Sequence, residues 1–342
     1  MAVSPSTPPA PSARAGTIAV DRAVELAVVE RNGFIESRHA GAAVVLDPDG
    51  AAILSLGDVE APILPRSSLK PLQALGCLTA GAELEGEQLV LATASHAGTD
   101  RHVAVVREIL GRAGLGEDDL GCPPAWPTDS ATRDDLVREF GQPSRIRMTC
   151  SGKHAAMLLA CTANGWDVGS YLDPAHPLQA HIREVIERLT GARPTTTAID
   201  GCGAPVYAMS LTALARAMHR VGTSSERSPF ALHRQAGALV RTVRELPWAI
   251  EGEGRPDTIA IERLGVFTKF GAEGVMVMIA PNGTTAVLKV LDGDRRATTA
   301  VAITLLVRVG ALTARDAADA VARLPLAVTG GGRDVGMIRP TV

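Results

Sequence analysis

Arg66-Ser67-Ser68-Leu69-Lys70-Pro71 runs into Leu72, Leu75 and Leu78, so that Leu69, Leu72, Leu75 and Leu78 recur at helical spacing. Pro71 is tolerable in a first turn and costly later, which places the start of a helix near Arg66 or Ser67 and extends it over Ser67 to Leu78. On such a helix Ser67 and Lys70 leave the same face one turn apart, and Ser68 does not. A serine hydroxyl is a poor nucleophile at neutral pH, but a neutral lysine amine beside it can take its proton, and burial lowers a lysine's pKa toward that form. The plain alternative is Ser67 as an N-cap with Lys70 solvated on the first turn. Lysine usage alone leaves chance and chemistry evenly matched, and the surroundings of the lysines decide. Only four of the 34 basic residues are lysine, and Lys70, Lys153 and Lys269 all lie in segments crowded with Ser, Cys, His and Gly. Arginine stays protonated, so it cannot replace a lysine that must lose its proton. Lys289 lies in an ordinary strand pattern.

Upstream of this helix, Val24 to Val29 reads as a strand, and Ala42 to Leu46 with Ala51 to Leu56 reads as a hairpin about Asp47-Pro48-Asp49-Gly50. Downstream, Leu89 to Ala92 reads as a short buried strand entering Ser95-His96. Helical patterns follow over Asp100 to Arg112, Lys153 to Ala163, Leu178 to Leu189, Leu211 to Arg220 and Pro229 to Arg244. A second hairpin, Val275 to Ile279 with Thr285 to Leu291, turns at Pro281-Asn282-Gly283, and helices are expected over Ala297 to Val309 and Ala314 to Arg323. The expected fold class is α/β (α+β), with an antiparallel sheet built from both chain ends and a helical middle region. The first 17 residues, rich in Pro, Ser and Ala, read as a disordered tail without the apolar stretch of a signal peptide; residues 18–342 read as a single catalytic unit with a helical subdomain.

Composition excludes several function classes. Hydrophobic residues make up 46% and charged residues 21%, with a formal charge of −3, so nothing favours nucleic acid or an anionic membrane. Aromatics at 3% leave few platforms for base stacking. No apolar run approaches the roughly 18 residues of a transmembrane helix, so a cytoplasmic location is expected. Five cysteines spread through the chain fit reduced thiols better than a disulfide framework.

Two further segments carry reactive side chains. Cys150-Ser151-Gly152-Lys153-His154 and Asp200-Gly201-Cys202-Gly203 place two thiols, an amine and an imidazole in loops entering helices. Cys150 and Cys202 could meet at a tetrahedral zinc or be two buried free thiols; there is no C-x-x-C, and a lysine ligand must first deprotonate. Gly265 to Gly274 reads as a strand edge in which Lys269 points at a substrate and Gly271 lets it approach, with a Gly-rich turn bearing a solvated lysine as the alternative. His39, His96, His102 and His154 read as polar support.

In this order the segments resemble the bacterial asparaginase II family, the class 3 asparaginases of the rhizobial inducible type. The resemblance spans roughly Val24 to Pro340. It is carried by Val29-Glu30-Arg31-Asn32-Gly33 with Glu36-Ser37-Arg38-His39, the Arg66 to Pro71 motif, Ala94-Ser95-His96 with Asp100-Arg101-His102, Cys150 to His154, Asp200 to Pro205, Gly252-Glu253-Gly254-Arg255 and Lys269 to Gly274. It implies a serine β-lactamase/glutaminase-like fold and hydrolysis of L-asparagine to L-aspartate and ammonia. It further implies Ser67 with Lys70 and Ser95 with Lys269 as two catalytic pairs, and Cys150, Lys153 and Cys202 as zinc ligands with water as the fourth. Arg66, His154 and Asp200 would orient substrate or ligands, Gly271 would border the substrate, and the chain would be a homodimer. Ser67 attacks in this picture, and the Ser95/Lys269 pair protonates the leaving ammonia. Ala97-Gly98-Thr99 and Gly203 depart from the pattern of relatives and bear on substrate preference. The competing expectations are a β-lactamase or penicillin-binding relative, a glutaminase-type serine amidohydrolase, and a catalytically silent small-molecule binding protein.

Overall fold

The computed structural model describes residues 16–342, so most of the tail expected over residues 1–17 lies outside the described residues. Its centre is an eight-stranded antiparallel sheet in the order Ala327–Gly330, Arg333–Pro340, Val24–Arg31, Phe34–Leu46, Thr285–Val290, Val275–Ile279 and Phe267–Gly271, with Ala52–Leu56 also paired to Phe34–Leu46. The two ends of the sequence meet within it: Ala27 lies opposite Pro340, and Leu46 opposite Thr285. The α/β fold class expected from the sequence, a sheet from both ends around a helical middle, is the one observed.

Side chains alternate across a strand, and here both faces are covered. Ala42, Val44, Leu46, Val275, Val277 and Ile279 enter a core shared with the middle helices. Ala43, Val45, Met276, Met278, Ala286 and Leu288 enter a second core with the helices Pro256–Leu264, Thr298–Arg308 and Ala314–Val321. Two buried faces explain why these strands read as unbroken apolar runs, each fully buried Val, Leu or Ile contributing about 1.5–3 kcal/mol. Among the described residues no helix is long and apolar enough to cross a membrane.

Two local expectations are corrected. Leu89 to Ala92 belongs to the helix Gly86–Thr93, not to a strand; it packs between Lys70–Thr79 and Ser151–Asn164, and an apolar run without polar interruptions carries no period to separate the two states. Cys150 does precede a helix, Ser151–Asn164. Asp200 to Gly203, by contrast, is the turn of a hairpin joining Thr197–Ile199 and Pro205–Tyr207, closed by Asp200 N–H to Ala204 O at 2.9 Å.

Backbone proximity sets the position of the reactive segments. Arg66–Leu69 is a 3-10 turn leading into the helix Lys70–Thr79, and it rests on the edge strand Phe267–Gly271. A Cβ on Gly271 would lie 2.3 Å from Pro65 O, so turn and strand touch only because residue 271 is glycine. Gly152 has the same role at the other wall, where a Cβ would lie 2.5 Å from Leu91 O.

Candidate active site

Lys70 Nζ lies 2.9 Å from Ser95 Oγ, and Lys269 Nζ lies 3.0 Å from the same oxygen. Both lysines are fully buried and Ser95 is nearly so. Each amine is also fixed by carbonyls: Lys70 donates to Ala94 O at 2.6 Å, and Lys269 to Phe270 O at 2.8 Å. The Ser95 backbone is pinned by its N–H to Ile250 O at 3.0 Å. Burial, and then the neighbouring Lys70, push the Lys269 amine down to about 7, against the opposing pull of Asp257 and Glu251. A lysine held there is close to the range in which a side chain can exchange a proton at neutral pH.

Ser67 stands apart from this chain. It is half-buried, and no hydrogen bond joins its Oγ to Lys70 among the described residues. Arg66, with φ at +53° in the left-handed region, turns its guanidinium onto Asp200, Nε to Oδ1 at 2.7 Å, with Glu273 at 3.9 Å. Burial alone would raise the Asp200 carboxyl, but the Arg66 hydrogen bond and the Lys153 charge outweigh it and hold the group below its ordinary range.

Asp200 leads to the third cluster. Lys153 donates to Cys202 Sγ at 3.1 Å. The neighbouring Cys150 thiol, helped by the Lys153 charge against the cost of burial, holds the Cys202 thiol well below its ordinary range, while Cys150 is itself pushed up. Two sulfurs thus face the Lys153 nitrogen. Thiolate is a common zinc ligand, but the burial of Lys153 is outweighed by the charges of Cys202 and Cys150, which hold it above its ordinary range, so it would have to give up a proton to join them. Among the described residues no group of three His, Cys, Asp or Glu could hold a metal; the third donor here is a lysine. His154 Nδ1 meets Tyr171 OH at 2.6 Å, and its Nε2 is buried without a partner among the described residues, leaving one polar atom for a further group to satisfy. Burial and the Lys153 charge drop this imidazole to about 3, so it is neutral.

The structure thus brings Lys70, Ser95 and Lys269 into contact, pairs Arg66 with Asp200, and joins Lys153 to Cys202, with the Cys150 thiol as a neighbour. It seats Gly271 against the Ser67-bearing turn. Lys70 Nζ also lies 3.5 Å from Thr149 O, one residue before Cys150, so the Ser–Lys chain and the thiol cluster abut. An open groove of about 770 Å³ lined by Leu78, Glu83, Glu85, Arg112 and Gln235 contains none of these residues. The histidines expected as polar support have such partners: His96 Nε2 meets Ser151 Oγ at 2.9 Å, and His39 Nδ1 meets Asp292 at 2.6 Å. Sequence reasoning missed Asp257, Glu251 and Tyr171. Lys289 lies in the strand Thr285–Val290, as its pattern predicts; it is buried there and donates to Glu273 O and Val290 O, bracing the turn after Gly271.

A family model for L-asparaginase II matches residues 27–340. No curated protein matches the chain. Among solved structures, the chain is similar to a β-lactamase from Mycobacterium bovis, with 13% identity and TM-score 0.40 over 78% of this chain and 94% of that one. It is also similar to a Bacillus glutaminase, with 13% identity and TM-score 0.42 over 80% of this chain and 92% of that one.

Proposed function

The chain belongs to the L-asparaginase II family, and on that footing we propose that it hydrolyses the side-chain amide of L-asparagine to L-aspartate and ammonia through a serine acyl-enzyme. The observation that carries the chemistry is the bridging of two buried lysine amines by Ser95 Oγ. Ser95 is enclosed between the amines, whereas Ser67 is the more accessible hydroxyl, one turn before Lys70. Ser67 attacks the amide carbon, and its proton enters the Lys70–Ser95–Lys269 chain at the Lys70 end, to rest on Lys269. The Ser67 N–H has no backbone acceptor among the described residues and can hold the oxyanion, a donor worth about 3–4 kcal/mol in the transition state. The chain returns the proton to the amide nitrogen, ammonia leaves, and an ester to Ser67 remains. Water then gives a proton to the same chain and attacks the ester; the chain passes that proton to Ser67 Oγ as the C–O bond breaks and aspartate leaves.

Arg66 and the unpartnered His154 Nε2 are suited to the substrate's α-carboxylate, and Asp200 to its ammonium. Cys150, Lys153 and Cys202 would hold zinc. When bound, it would supply a Lewis-acidic grip on the amino-acid end of the substrate. Elemental analysis of protein purified without added metal should find zinc, lost in Cys202→Ser. Metal-free active enzyme would return both cysteines to plain buried thiols.

Ammonia release measured with L-asparagine, L-glutamine and buffer tests the reading. Turnover of asparagine well above glutamine is expected, and background rates with asparagine would overturn it.

A further inference from the structure

Behind Lys269 lies a buried acidic group that the reaction as drawn does not use. Asp257 sits on the first turn of the helix Pro256–Leu264 and is fully buried. Its Oδ2 accepts the Phe270 N–H at 3.0 Å, and the carbonyl of that same residue accepts Lys269 Nζ at 2.8 Å. One residue of the edge strand thus hands a contact from carboxylate to amine. Asp257 Oδ1 has no hydrogen-bond partner among the described residues. The neighbouring acid, Glu251, accepts the Asp257 N–H at 3.1 Å and is compensated by Arg295 at 2.7 Å, which also lies 3.6 Å from the centroid of the Phe270 ring. Asp257 has no ion-pair partner within 4.0 Å among the described residues, unlike Glu251.

We propose that Asp257 is a positioning residue for Lys269: through Phe270 it keeps the amine seated on Ser95 Oγ, and it supplies the one negative charge facing that amine that no cation in contact neutralises. This rests on the reading of Lys269 as part of the catalytic chain. The charged groups around the pair are Lys70 from the helix Lys70–Thr79, Glu251 from the turn before Asp257, and Arg295 from the segment before the helix Thr298–Arg308. Burial and Glu251 push Asp257 up to about 6, while Lys269 and Arg295 hold it down, so the carboxylate is ionised where the amine titrates.

Asp257→Asn keeps an oxygen for the Phe270 N–H and removes the charge. Without it the Lys269 proton is held less tightly, so the rising limb of kcat/KM against pH should move to lower pH by about one unit. Loss of packing alone would lower the whole profile without moving its limb. Lys269→Ala separates the two claims. If Lys269→Ala keeps its turnover, the catalytic reading fails; if it is inactive while folded Asp257→Asn shows an unmoved limb, the role of Asp257 is overturned. Should Asp257→Asn not fold, wild-type protein labelled at lysine Cε answers by NMR, since the chain has only four lysines. The signal absent in Lys269→Ala should titrate in two steps, one following Asp257; a single step would overturn the proposal.

Discussion

A hydroxyl lying 2.9 and 3.0 Å from two amines can pass a proton between them without either lysine moving far. This puts the demand on neutral lysine, because an arginine keeps the charge and cannot accept. Lys269→Arg should therefore lower ammonia release on the order of 10²- to 10⁴-fold with an unchanged circular dichroism spectrum. An arginine variant near the wild-type rate would make Lys269 a fixed cation. For the serines, mass spectrometry of acid-quenched steady-state reactions should place an acyl adduct on Ser67, and Ser67→Ala should remove both adduct and turnover. Ser67→Ala and Ser95→Ala combined should cost little more than either alone, as for residues serving one proton transfer. An adduct on Ser95 would move the nucleophile there.

At the scale of elements, the site depends on a strand and a turn meeting backbone to backbone. Gly271→Ala puts a Cβ 2.3 Å from Pro65 O, and backbone cannot yield as a flexible side chain can. The turn bearing Ser67 must shift, and a displacement of roughly 1 Å costs about 10²-fold in rate. The expectation is a fall in kcat larger than any rise in KM, and wild-type kcat would show that the contact is not needed. Elements with a long apolar stripe, such as Asp100–Arg112 and Pro177–Thr190, were legible from their period. Gly86–Thr93 was not, being buried against helices on more than one side. The helix Pro256–Leu264 was overlooked as well: it is short, follows a Gly-rich stretch, and so hid Asp257. The Asp200 turn resembles a helix entrance in sequence because four polar and glycine residues look alike before a helix and between two strands.

For the whole molecule, the scarcity of lysine proved informative in a way that no single motif was. All four lysines are buried, Lys289 included, so none of them serves as an ordinary surface cation. What the sequence could not show was their meeting point. Ser95 and Lys269 are 174 residues apart, and only the closure of the sheet by both chain ends carries the strand of Lys269 to the helix of Lys70. Spacing put Ser67 beside Lys70, while the folded chain gives the Lys70 amine to Ser95. The most direct measurement is the pH dependence of kcat/KM for ammonia release from L-asparagine by the wild-type chain. Lys269 must be neutral to accept a proton and its amine stands at about 7, so the rate should rise about tenfold per pH unit below that value and level off above it. A profile flat from about pH 5 to about pH 8 would contradict proton transfer through these lysines.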